Sequence, residues 1–475
     1  MPFRRQKIVF LIIAAAMLPS MFVLQKRVYN QRAESGMIRV ESLKNAPPAL
    51  AFTTVALGGF RGLISNLLWV RAIKLQEQGN YFEMVSLADW IAKLQPDNGM
   101  VWAVQAWNMT YNISTQFSDH QDRWLWVKSG MDLLRDQGIR YNPNDVDLYR
   151  ELAWFYQDKM GSYTDEAHLY FKAAWAREMR DALGPEPDIQ ALANPVSEED
   201  KERAEVLRTK HKLDPERMLA VDQQYGPFDW RVPESHAIYW SVLGFEKCKT
   251  EEEIIKLRRV LWQSMQRAVQ KGNLIENFAD QRLEFGPNLD MIPNANRAYE
   301  NMLEEEPDRQ DYIGLGHSNF LRDAVYFLYT HSRIEDALRW YRYGKEQYPQ
   351  AFRGAENLDD FVVQRVDEQV TDGKLWRVNA ILEGILGRYY YSAALGDEEQ
   401  ANGYAMLARN VWVHYQNRFG DKGERLSLAS LDQLKKRVLD QIREGRHGFS
   451  PALRAALGID DANDPDSTSE EPQNP

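Results

Sequence analysis

Apolar positions recur every three or four residues across residues 64–75, break at Gly79, resume from Tyr81 and stop at Pro96. That spacing predicts two amphipathic helices joined by a short turn. Leu68, Ala72 and Leu75 set a large, a small and a large side chain on one face of the first helix. Gly79, two residues before Tyr81, allows a tight reversal and seats an aromatic ring between the helices. The order repeats. Trp102, Ala106 and Met109 restate large–small–large, a polar stretch near residues 114–122 follows, and Trp124, Val127, Met131 and Leu134 mark the returning helix. This unit closes at Pro143, 47 residues after Pro96. A third unit places Tyr149, Ala153 and Tyr156 on one face, Gly161 and Tyr163 at the turn, and Ala167, Phe171 and Ala174 on the return.

The pattern changes at residues 184–195, where Pro185, Pro187 and Pro195 interrupt any helix. A charged segment, 198–212, reads as a solvated helix, and Asp214-Pro215 opens another. Further helices are expected at 233–243, 251–270 and 292–305. Gly314 to Ser318 reads as a loop feeding a helix, with Ser318 as its cap. Phe320, Ala324 and Phe327 then face Ala337, Tyr341 and Gly344 across another hairpin that Pro349 closes. A pair at 374–394 and 398–419 follows, and a charged amphipathic helix at 427–443 suits the polar outer face of a terminal cap.

These units resemble tetratricopeptide-type helical hairpins, most clearly at 64–96, 146–180 and 318–349. Met84 and Ile91 stand where that family usually has a small residue, and the 47-residue interval exceeds its period of about 34. The resemblance implies an all-α, irregular helical-hairpin solenoid with a concave surface for a protein or peptide partner, and it carries over no catalytic residue. On the first helices of the pairs, Trp102, Asn108, Tyr149 and Tyr156 are the expected groove residues.

Arg4, Arg5 and Lys7 precede an apolar run over residues 8–24 that Lys26 and Arg27 close. The run is close to the lower length limit for a membrane span. Its small residues lie inside the apolar core and Gln25-Lys26-Arg27 follows it, which favours an uncleaved transmembrane signal-anchor over a cleaved signal peptide. The basic stub at 1–7 would stay cytoplasmic, with the bulk of the chain extracytoplasmic, in a bacterial periplasm or equivalent space. In this layout the chain resembles bacterial envelope proteins with one N-terminal anchor and degenerate repeats. The expected organisation is an anchor at 8–24, a juxtamembrane linker at 25–63, hairpins at 64–183, a Pro-rich and charged connector at 184–232, a second helical region at 233–457 and an acidic, disordered tail at 458–475.

Composition narrows the function. With 44% hydrophobic and 27% charged residues the 475-residue chain is a folded protein, and its net charge of −11 argues against nucleic-acid binding. The lone Cys248 excludes an intrachain disulfide and a cysteine metal cluster. The eight histidines lack metal-ligand spacing, so neither metal nor cofactor is expected. Gly58-Gly59-Phe60-Arg61-Gly62 lacks the Lys-Ser/Thr of a phosphate loop. Asn108 and Asn112 head glycosylation sequons that matter only in a host that glycosylates exported proteins. Tyr389, Tyr390 and Tyr391 point in different directions on a helix and read as packing. One dense polar cluster remains: Asp229, Arg231, Glu234 and His236. It either forms an acid–base site or pairs Asp229 with Arg231 and buries His236 in a polar network, and no nucleophile accompanies it. The main expectation is therefore a membrane-anchored scaffold for protein–protein interaction in an envelope complex, with no catalysis; the alternative is an enzyme built on the Asp229–His236 cluster.

Overall fold

The computed structural model describes residues 60–459, apart from 163, 186, 278–281, 332, 369–374, 420–428 and 445–448, together with Val23, Leu24, Lys26, Arg27 and Gln31. The expected anchor, juxtamembrane linker and acidic tail fall almost wholly outside these residues, as do Tyr163 and His447. Among the described residues no helix is long and apolar enough to cross a membrane. The protein is all-α in character, with 79% helix among the described residues.

The described residues fall into two compact units. The first takes those up to Glu178, with Pro195–Pro215 and His236–Leu261; the second takes Met179–Asn194, Glu216–Ser235 and those from Trp262 onward. In the first unit, α1 (Phe60–Glu77) and α2 (Tyr81–Leu94) form the hairpin that the periodicity predicts. Gly79 turns between them at φ +72°, a conformation that a Cβ disfavours. Ala72 and Leu75 are buried, as are Met84, Ala88 and Ile91 of α2.

The next two helix starts are copies of one design. α3 (Gly99–Trp107) runs nine residues and passes directly into a six-residue π-helical turn, Asn108–Ile113. After α4 (His120–Leu133), α5 (Val146–Trp154) does the same and passes into Phe155–Met160. The two copies are 47 residues apart, from Gly99 to Val146 and from Asn108 to Phe155. Ala106 and Ala153, the small residues of each face, are fully buried. α4 begins after the polar stretch, where Asp119 accepts from the N–H groups of Gln121 and Asp122, and it too ends in a π turn, Leu134–Gly138.

Helices continue through the proline-rich region as α6 (His168–Leu183), α7 (Ile189–Ala193), α8 (Glu198–Val206) with a π extension Leu207–His211, α9 (Pro215–Tyr225), α10 (Pro233–Phe245) and α11 (Glu251–Lys271). Asp188 and Ser197 cap α7 and α8.

An antiparallel hairpin that the periodicity did not suggest follows: β1 (Asn273–Asn277) on β2 (Arg282–Gly286), with Asn273 opposite Gly286. Five residues per strand are too few for alternation to stand out. The second unit then builds on α12 (Ile292–Glu305), α13 (Gln310–Thr330) and α14 (Ile334–Gln347). The expected loop at Gly314 to Ser318 lies inside α13, and Ser318 Oγ donates to the Leu315 carbonyl instead of capping. Burial of Ile313, His317, Phe320, Leu321 and Ala324 outweighs two glycines that each cost about 1 kcal/mol in a helix. α15 (Leu358–Asp367) was not expected. α16 (Leu375–Ala394) and α17 (Glu398–Phe419) match the predicted pair. α18 (Leu431–Arg443) carries a full capping box between Ser430 and Gln433, and α19 (Pro451–Ala456) ends the described fold.

Candidate functional site

The four residues expected to line a groove are all buried: Trp102 and Tyr149 at 4% and 6% exposure, Asn108 and Tyr156 at 2% each. This corrects the expectation, and hydrogen bonding gives the reason. Trp102 Nε1 donates to the Pro96 carbonyl at 2.9 Å, and Tyr149 Oη donates to the Pro143 carbonyl at 2.9 Å, six residues back in both cases. Each large residue therefore clasps the turn that closes the preceding hairpin. Tyr156 packs on Trp175 and His236, with ring centroids 5.2 Å away in both contacts.

The Asp229–His236 cluster is buried or half-buried, and Asp229 pairs with Arg231. Arg231 grips Asp229 with two side-chain hydrogen bonds, Nε to Oδ1 and Nη2 to Oδ2, both 2.9 Å. The Arg231 N–H donates to Asp229 Oδ1, and the Leu274 N–H at the start of β1 donates to Oδ2. The carboxylate is thus consumed in tying a turn to the hairpin. Glu234 is buried near the start of α10. His236 is fully buried and stacks on Tyr156, with the Trp175 edge 4.9 Å away. Cys248 donates to the Gly244 carbonyl, and burial followed by the Glu253 charge raises its pKa, which disfavours the reactive thiolate. Of the tyrosine run, Tyr389 packs on Tyr390 and Tyr391 on Phe449. No group of three or more metal-ligating side chains gathers among the described residues.

The π turns hold much of the first unit's buried polarity. Asn108, Thr110, Arg135, Gln157, Lys159 and His211 all sit in them and all are buried. A π turn packs more than four residues into each turn and so aims side chains where an α-helix cannot. Lys159 Nζ lies 2.7 Å from Asp165 Oδ2, while Arg123 Nη2 and the Ala167 N–H reach Oδ1 at 2.7 and 2.9 Å. Burial opposes ionisation of Asp165, but the Lys159 hydrogen bond, the Ala167 N–H and the two cations hold its pKa below the usual carboxylate range. Burial also lowers the Lys159 ammonium against the pull of Asp165. Neither ring nitrogen of His211 has a hydrogen-bond partner among the described residues; Nδ1 lies 3.9 Å from Glu178 Oε1. Burial pulls the His211 pKa down to about 4 despite that carboxylate. These side chains of the π turns are buried, while Arg123 and Asp165 also line a surface pocket with Thr115 and Glu166.

A surface cleft of about 760 Å³ with the shape to take a ligand lies at the starts of α3 and α5. Equivalent positions of the two copies meet there, Asn98 of the first and Asp145 of the second. Asp145 caps α5 by accepting from the Asp147 N–H, and its carboxylate lies so close to Gly99 that a Cβ there would collide with it. Asp97, Asp145, Asp147 and Glu151 give the lining four carboxylates against Arg150 and Lys256. Both cations are already engaged, Arg150 with Glu151 and Asp147, and Lys256 with Glu252. Burial raises the pKa of Glu151 in spite of Arg150. Met100 adds an apolar surface that is 67% exposed. Sequence reasoning missed this cleft. Its signal was the polar residues just after each closing proline, Pro96-Asp97-Asn98 and Pro143-Asn144-Asp145, which recur at the 47-residue interval.

The fold is all-α in character, and the cleft is lined by four carboxylates and two cations. Comparison with protein-family models, curated proteins and solved structures finds no match for the chain.

Proposed function

We propose that this protein is a membrane-anchored scaffold in a bacterial envelope complex, with tetratricopeptide-like hairpins that present the acidic cleft to a protein or peptide partner. The observation that carries the reading is the 47-residue repetition of helix, π turn and proline clasp, with the cleft at the meeting point of two equivalent helix starts. Stacked hairpins of this kind leave one edge free for binding. The carboxylate excess in the cleft favours a basic segment or an amino terminus, and Met100 offers it an apolar contact. The apolar run at 8–24 with its basic flanks supports an anchor, single-pass and with the bulk of the chain outside the inner membrane. No catalytic step, metal or cofactor belongs to this reading.

The test is photocrosslinking in native membranes from a photoreactive residue at position 100, with the captured proteins identified by mass spectrometry. One defined partner should dominate. The double charge reversal Asp147→Lys with Glu151→Lys should abolish its capture while leaving the circular dichroism spectrum unchanged. Capture that survives the reversal, or no capture from a correctly folded chain, would overturn the scaffold reading.

A further inference from the structure

α1 has two apolar faces. Ser65, Ala72 and Leu75 are buried on one. Leu63, Leu67, Val70 and Ile73 lie on the other, spaced i, i+4, i+7 and i+10, and are between 52% and 68% exposed. Such a stripe of large aliphatic side chains on a helix surface marks a contact surface. The same helix carries Arg61, Arg71 and Lys74 and no acidic residue before Glu77, and Lys74 continues the stripe at i+11 from Leu63.

Charge along the chain identifies what the stripe meets. Residues 1–76 hold 11 of the 58 basic residues and 2 of the 69 acidic ones, a net +9 against −20 for the remainder. Two uncharged apolar stretches, 8–24 and 49–57, precede the stripe within this basic segment, and the second ends only six residues before Leu63. An exposed aliphatic stripe on a helix too polar to span a bilayer, with Lys74 in line with it and Arg71 paired to Glu83, suits contact with the interfacial plane. Lys and Arg near an anionic leaflet add attraction that a protein partner would have to supply by a dedicated acidic surface.

We infer that the exposed Leu63–Leu67–Val70–Ile73 face of α1 lies on an anionic phospholipid surface. The inference rests on the membrane-anchored reading and adds a second contact that holds the folded body against the bilayer. The experiment uses the full chain with Cys248→Ser and a single cysteine introduced by Leu67→Cys or, as control, Glu202→Cys. Each is labelled with an environment-sensitive nitrobenzoxadiazole dye. The chain is reconstituted into phosphatidylcholine vesicles, with or without phosphatidylglycerol, that carry a spin-label quencher in the acyl chains. With phosphatidylglycerol the dye at residue 67 should shift to the blue and lose most of its emission to the quencher, while the dye at 202 does neither. Quenching at 67 should weaken in vesicles of phosphatidylcholine alone. Adding Leu63→Asp and Val70→Asp should return the dye at 67 to its aqueous emission.

Aqueous emission at 67 in the anionic vesicles would overturn the inference, and so would blue-shifted emission that the acyl-chain quencher leaves untouched, since that result puts protein on the face. Retention after alkaline carbonate washing reports the anchor separately. A chain retained with an aqueous dye at 67 sinks only this inference. A chain that was quenched and then washes off sinks the anchor and keeps the surface contact.

Discussion

Asp165 offers the sharpest test of how the first unit is held. Its carboxylate is shared by Lys159 and Arg123, both at 2.7 Å, and the three side chains are 3–6% exposed. Solvent screening is therefore reduced, most of all at Lys159, while Arg123 and Asp165 border a surface pocket. Asp165→Ala leaves Lys159 with no carboxylate at hydrogen-bond distance and Arg123 with only Glu166, which is 79% exposed. Removing one partner of a buried pair costs about 3–5 kcal/mol, because the stranded charge keeps its desolvation penalty. Asp165→Asn retains an acceptor and should cost less. Pairing Asp165→Leu with Lys159→Met removes one of the stranded charges and should recover part of the loss. Urea unfolding followed by far-ultraviolet circular dichroism at pH 7 measures each difference. The folded carboxyl titrates below its unfolded value of about 3.9. The Asp165 contribution is thus complete above that value and fades as pH falls through the folded pKa, so wild type and variant should converge in acid. A loss under about 1 kcal/mol at pH 7, or a gap that widens on acidification, would refute the argument.

Two further outcomes follow from the second unit. His317 is 1% exposed, bonds through its ring nitrogens to Tyr348 Oη and Asn296 Oδ1, and is pulled by burial to a pKa of about 4. The unfolded imidazole protonates near pH 6.5, so His317 should withdraw up to about 3 kcal/mol of stability as pH falls from 6.5 to 4. His317→Gln should flatten that part of the unfolding-midpoint profile, and an unchanged slope would count against it. Gly403 of α17 lies against the Thr330 carbonyl at the end of α13, where an added Cβ has no room. Gly403→Ala should lower stability by about 1–3 kcal/mol through forced separation of the two helices, measured by thermal unfolding, and a neutral result would show that they part easily.

Much of the helical layout was legible because burial and periodicity agree. Ala72, Ala106, Ala153, Phe171 and Ala324 all face inward, as their spacing indicates. Gly344, read as the small residue of a returning helix, leaves room for the Phe352 ring. What misled was the assumption that a large residue at the head of a hairpin faces a partner. Trp102 and Tyr149 are large because each must reach a carbonyl six residues back and fill the space between helices. The four carboxylates of the cleft were invisible for a different reason. Asp97 and Asp147 belong to different copies, and only the folded repeat brings them together. The Asp229 and Arg231 pair was legible as one of two options, and the amide of Leu274, far along the chain, joins Arg231 Nη2 on Oδ2.

The paired turns at Asn108–Ile113 and Phe155–Met160 set the angular phase of the helices that carry them. A π turn is what one surplus residue leaves behind in an α-helix, since the wider loop absorbs it without disturbing the neighbouring turns. Both turns hold that surplus after nine helical residues. Deleting one codon in either turn would swing everything downstream on that helix by about 100°, carrying Lys159 out of reach of Asp165 in the second copy. A local widening of the helix thus sets which way Lys159 points its charge.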